Sequence, residues 1–125
     1  MWDTDSQKSA IKHALSIAKE NRLKVIFDVA DPFAVQRYRD AFLSLIKEQA
    51  DIVFANQAEL SILFDTKDIN VAAKSLGKIV DIAAVKLGKE GSLVIENGNI
   101  CKITSRPIIA KDSTGAGDMF AAGFI

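Results

Sequence analysis

Apolar positions along this chain alternate between two rhythms. Between residues 6 and 21, Ile11, Ala14, Leu15 and Ala18 recur at the three- and four-residue spacing of one helix face. Lys8, Lys12 and Lys19 lie elsewhere on that helix. Lys24 to Val29 (KVIFDV) is then a short apolar run, the pattern of a strand buried on both faces. Asp31-Pro32 reads as a helix start, a capping residue followed by proline at the first helical position. The helix that follows gathers Val35, Tyr38, Phe42, Leu45 and Ile46 on one side. Asp51 to Ala55 (DIVFA) is a second buried strand, and Asn56 can cap a short helix carrying Leu60, Leu63 and Phe64. Another helix covers about Ile69 to Ile79, and Ile82 to Leu87 (IAAVKL) is a third buried strand ending at Gly88.

Helix and strand in strict turn predict a parallel sheet with helical crossovers. After Gly88 the rhythm changes. Ser92 to Glu96 and Asn99 to Ile103 form two strands joined by Asn97-Gly98, a hairpin signal because both turn positions tolerate positive φ. Arg106-Pro107 ends the hairpin. The segment Asp112 to Asp118 follows, then an apolar helix start with Met119, Phe120, Ala121, Ala122 and Phe124. The expected fold is α/β, a doubly wound, mostly parallel sheet with helices on both faces and a local hairpin. Ligands belong at the C-terminal ends of its strands. The last helix reads as only its first turns, and a helix that short is marginal unless it packs on something. The 125 residues are therefore expected to be one partial domain.

Composition narrows the classes. Hydrophobic residues make up 49% and charged residues 26%, ordinary for a globular chain. Sixteen basic residues balance sixteen acidic ones, so charge gives no reason to propose nucleic acid or an acidic membrane as a partner. Cys101 is the only cysteine, which rules out an internal disulfide and makes a reducing compartment, the cytoplasm, the default. No secretory leader pattern is seen, and no apolar stretch approaches the ~18 residues of a membrane span. His13 is expected at the surface, Cys101 in the packing of a hairpin strand, and Trp2 in a core.

The chemistry concentrates at Gly115-Ala116-Gly117-Asp118, on a loop-to-helix junction. Small residues let backbone N–H groups approach a ligand, and a helix start presents unpaired donors at the positive end of its dipole. That arrangement suits a phosphoryl group whose charge grows during transfer. A carboxylate at Asp118 could accept the proton of an attacking hydroxyl. Aspartate is equally at home in a first helical turn for its own sake. A Walker A loop would need Lys-Ser/Thr where Asp118-Met119 stands, and a dinucleotide fingerprint would need glycine where Phe120 stands.

The run Asp112-Ser-Thr-Gly-Ala-Gly-Asp118 is similar to the C-terminal signature of the PfkB, or ribokinase-like, carbohydrate and nucleoside kinases. Asn56-Gln57-Ala58-Glu59 resembles that family's Asn-x-x-Glu motif. Lys86-Leu87-Gly88-Lys89-Glu90-Gly91 resembles its nucleotide-side strand end, and Asp28 to Arg39 looks like the adenosine-kinase-like branch. The four pieces, in order, span nearly the whole chain.

The resemblance implies a three-layer fold and ATP-dependent phosphorylation of a hydroxymethyl group on a sugar or nucleoside. It implies Asp118 as catalytic base and the N–H groups of Gly115, Ala116 and Gly117 as an anion hole. Asn56 and Glu59 would organise Mg2+ through water, and Lys86, Gly88 and Gly91 would border the nucleotide. Asp112 and Thr114 sit where some relatives bind a monovalent cation, K+. Lys86 departs from the threonine or serine expected at its position.

Other readings stand beside these. Asn56 can be simply a helix cap, with Glu59 completing a capping pattern. Gly88 and Gly91 can merely shape a turn. Arg37 and Arg39 read as solvated or salt-bridged helix residues more than substrate ligands. The family's N-terminal substrate and lid half and its extreme C-terminal segment are not in these 125 residues. A non-catalytic remnant or incomplete fragment is thus the alternative to a working kinase.

Overall fold

The computed structural model describes residues 4–106, 109 and 112–125. In chain order the elements are α1 (Asp5–Glu20), β1 (Ile26–Asp28), α2 (Pro32–Gln49), β2 (Ile52–Asn56), α3 (Gln57–Leu63), α4 (Ile69–Leu76), β3 (Ile82–Lys86), β4 (Ser92–Glu96), β5 (Asn99–Ile103) and α5 (Ala116–Phe124). A single 3-10 turn, Gly88–Glu90, separates β3 from β4. The strands form one sheet in the order β1-β2-β3-β4-β5. β1, β2 and β3 run parallel, and β4 and β5 continue the sheet antiparallel. The α/β sheet with a local hairpin is therefore present. Strand order follows chain order, with no reversal among the described residues.

Alternation along the strands splits the sheet into two faces. Val53, Ala55, Ala83, Val85, Leu93 and Ile95 share one face and join the core with Val35, Phe42 and Ile46 of α2, Leu60 and Leu63 of α3, and Leu76 of α4. Phe54 points the other way and meets Phe120 and Phe124 of α5, with ring centroids 6.2 and 5.3 Å apart. Helices thus cover both faces, giving three layers.

Local chemistry explains most element ends. Thr4 and Gln7 close a capping box on α1. Asp31 accepts from the Phe33 N–H at 2.9 Å, and Pro32 stands at the first position of α2. Asp68, which periodicity alone did not single out, caps α4 by accepting from the Asn70 N–H at 2.9 Å. The hairpin turn has φ of 48° at Asn97 and 79° at Gly98, the mirror-image turn that twisted strands favour.

Three expectations are corrected. The first strand is not buried on both faces. It is the sheet edge, only Ile26 to Asp28 pair, and Ile26 is 40% exposed. Cys101 does not pack: it is exposed on edge strand β5. The fourth helical segment, α4, stops at Leu76, three residues before Ile79. His13 is exposed, as expected. Trp2 and Pro107 lie outside the described residues.

Candidate active site

The three parallel strands end on the same side of the sheet, at Asp28, Asn56 and Lys86. Asn56 and Lys86 are register partners, and Asp28 pairs with Phe54. Period-two alternation therefore puts Asp28, Asn56 and Lys86 on the face that Phe54 shares with α5. The Phe54–Phe120–Phe124 contacts hold α5 on that face.

Lys86 joins the pieces. Its Nζ lies 3.5 Å from Asp28 Oδ2. A Cβ placed on Gly117 would stand 3.2 Å from the same nitrogen. The half-buried ammonium thus faces the first turn of α5, and the missing side chain of Gly117 leaves it room. Gly88 follows two residues later, exposed, with φ of 61°.

Asn56 and Glu59 form a closed pair at the start of α3. The Asn56 backbone N–H donates to Glu59 Oε2 and its Nδ2 to Oε1, both at 2.7 Å, while Glu59 N–H donates to Asn56 Oδ1 at 2.9 Å. The capping reading and the site reading fall on the same two residues. Glu59 is 2% exposed. Burial pushes its carboxyl up from the usual range, against the Asn56 N–H and the Lys86 ammonium, which favour the charged form.

Gly115 caps α5 with φ of 74°, and no side chain satisfies the helix start. Among the loop residues proposed for an anion hole, Ala116 already spends its N–H on the Ser113 carbonyl at 3.1 Å. Asp118 is exposed in the first helical turn. Asp112 Oδ1 accepts from the Thr114 N–H at 2.8 Å, and Thr114 holds the Asp112 carboxyl below its ordinary value. Both residues are exposed.

Gly91 has φ of 100°, and a Cβ there would collide with the Ile103 carbonyl oxygen, so packing against β5 already requires glycine. Arg39 is no solvated residue: its Nε donates to the Leu63 carbonyl at 2.8 Å and ties α2 to α3. The Arg37 guanidinium stands 5.9 Å from the Tyr38 ring centroid. Asp28, the ion-pair partner of Lys86, is a residue of this cluster that sequence reasoning passed over as a candidate. Its position at the end of a strand run was the available signal. Among the described residues no group of three or more His, Cys, Asp or Glu is gathered to hold a metal. Among them, too, no helix is long and apolar enough to cross a membrane.

Solved structures similar to this chain include kinases. Adenosine kinase from Sinorhizobium meliloti matches with a TM-score of 0.91 and 38% identity, over 98% of this chain and 38% of that one. A fructokinase double mutant from Vibrio cholerae, solved with fructose, ADP and potassium ion, matches with a TM-score of 0.80 and 25% identity, over 96% and 40%. The fold is thus that of the ribokinase-like kinases. The family model described as "pfkB family carbohydrate kinase" matches residues 2–125, and the chain belongs to the PfkB family. Ribokinase from Haemophilus influenzae is 32% identical over all of this chain and 40% of its own length. The chain spans about two fifths of the length of the relatives it matches.

Proposed function

We propose that this chain supplies the phosphoryl-transfer part of an ATP-dependent kinase acting on a hydroxymethyl group of a sugar or nucleoside. The observation that carries this reading is the Lys86 ammonium standing between Asp28 and Gly117, beside the Asn56–Glu59 pair. A cation there meets the start of α5, where Gly115 and Gly117 leave backbone donors accessible to a phosphoryl group. Asp118, in the first turn, takes the hydroxyl proton as the phosphoryl group arrives. Lys86, Gly88 and Gly91 border the nucleotide.

The residues fit magnesium held through water and do not fit a caged ion. Both Glu59 oxygens already accept from Asn56, no further carboxylate completes a three-residue set among the described residues, and magnesium keeps several waters in phosphate sites. Magnesium, when bound, neutralises charge on the transferring phosphates. Asn56 and Glu59 would orient its waters. Asp112 and Thr114 are the proposed K+ ligands, with the potassium-bound fructokinase as support. A reducing, cytoplasmic setting suits the single exposed thiol, Cys101.

Titrating Mg·ATP into the chain tests the reading. Saturable binding is expected, weakened about tenfold or more by Lys86→Met, the worth of one charge-assisted hydrogen bond. Absent binding, or binding indifferent to the substitution, removes it. A second reading, an incomplete piece inactive alone, is favoured by the two-fifths coverage and by the solvent exposure of Asp118. Incubating the chain with ATP and adenosine, ribose or fructose separates the two. Turnover near the ~1 per second of ordinary kinases excludes the incomplete piece.

A further inference from the structure

Asp28 and Lys86 end β1 and β3, with β2 between them. Two strand spacings are about 10 Å, more than an aspartate side chain covers. The long lysine side chain must therefore lie across the end of β2 to bring Nζ within 3.5 Å of Asp28 Oδ2. A lysine at a strand end is otherwise free to turn into water, where its ammonium is well hydrated and its rotamers are many. Here the two side chains are only 21% and 31% exposed, so their attraction is screened less than at an open surface.

The aspartate is itself fixed by the backbone. Asp28 Oδ1 accepts from the Ala30 N–H at 3.2 Å, which leaves Oδ2 for the ammonium. The turn that aims this N–H is anchored on both sides. The Val29 N–H donates to the Phe54 carbonyl of β2 at 2.9 Å, and the Asp31 N–H donates to the Val29 carbonyl at 2.8 Å, where Asp31 caps α2. Ala30 holds φ of 60° between these anchors, a strained conformation kept by its surroundings. A carboxylate near a phosphate site opposes the anion by its own charge. We propose that Asp28 is a positioning residue. It draws the Lys86 ammonium across β2 and holds it at the start of α5, where a Cβ on Gly117 would stand 3.2 Å away. The cation is then directed at the phosphates of the nucleotide before they arrive. In this role Asp28 acts only through Lys86. The proposal rests on the kinase reading above.

A double-mutant cycle on Mg·ATP binding tests it. Asp28→Asn keeps an oxygen for the Ala30 N–H and removes the charge that holds the ammonium. It should weaken binding about fivefold or more beside Lys86, and by less than about twofold in a Lys86→Met background. If Asp28 acted only by its charge on the nucleotide, the same change would tighten binding. If it held the metal itself, the loss would be equal in both backgrounds. Either result overturns the proposal. Acylation of the ligand-free chain, followed by mass spectrometry, gives a readout that needs no nucleotide. Asp28→Asn should raise the labelling of Lys86 several-fold and leave that of Lys24, which pairs with Asp51, unchanged. Unchanged labelling of Lys86 also overturns the proposal. Binding that depends on Lys86 but not on Asp28 leaves the kinase reading standing and overturns this proposal alone, whereas no binding by the wild-type chain removes both.

Discussion

Ala30 sits with φ of 60°, a left-handed conformation that costs a residue with a Cβ about 1–2 kcal/mol. Its N–H donates to Asp28 Oδ1 at 3.2 Å, so the turn belongs to the same strand end as the site. Ala30→Gly relieves the strain but adds unfolded-state freedom, leaving a net gain of about 0.5–1 kcal/mol in urea denaturation; a loss would contradict the assignment. Glu59 makes a pH prediction. Its folded carboxyl holds its proton more tightly than the unfolded one, whose ordinary value is 4.5. Stability from this group is therefore full below that value and lost as pH rises through the raised folded value. Asp51 and Asp112, held low, have the opposite slope. The difference between wild type and Glu59→Gln isolates the one group. Wild type should lose stability relative to the variant as pH rises from 4.5, and parallel curves would refute the burial argument. For Asp118 the contrast is between chemistry and capping. In an active full-length kinase containing this segment, Asp118→Asn should lower the transfer rate about 10²–10⁴-fold, whereas a purely local role costs only about 0.3–1 kcal/mol through the helix dipole. Melting temperature and kcat measured together distinguish them.

The elements themselves were mostly legible, because their signals are local. Asp31-Pro32, Asn56 with Glu59, and Asn97-Gly98 each fix a boundary through hydrogen bonds or φ values within a few residues. What escaped depends on distant parts of the chain. The exposure of Ile26 follows from β1 lying at an edge, which its own apolar run cannot encode. The break in helical geometry at Tyr38, φ −124° and ψ 28°, has no proline or glycine to announce it. The ion pair of Lys86 with Asp28 joins residues on two strands that are not neighbours. Asp112 to Asp118 was legible as a motif, but that Ala116 spends its N–H on Ser113 was not. The placing of the loop rests on one aromatic group. Phe54→Ala should cost about 3–5 kcal/mol, as for a large buried aromatic, and should raise hydrogen exchange across α5 more than across α4. Equal effects on both helices would mean that α5 is held by something else.

At the scale of the molecule, an apolar cleft of about 890 Å³ lies open between α1, β1 and α2. Strand order that copies chain order has a meaning in time as well as in space. Each strand pairs with the one made just before it, so the sheet can assemble as the chain lengthens, at a low entropic cost of loop closure. α5 is the exception, because Phe124 must return to Phe54 across seventy residues. Its arrival should therefore be late: Phe124→Ala should speed unfolding while leaving the folding rate nearly unchanged in a stopped-flow denaturant series. A folding rate that falls in step with the lost stability would instead place α5 in the nucleus. If it docks late, the glycine loop takes shape only after the strand ends it serves are in place.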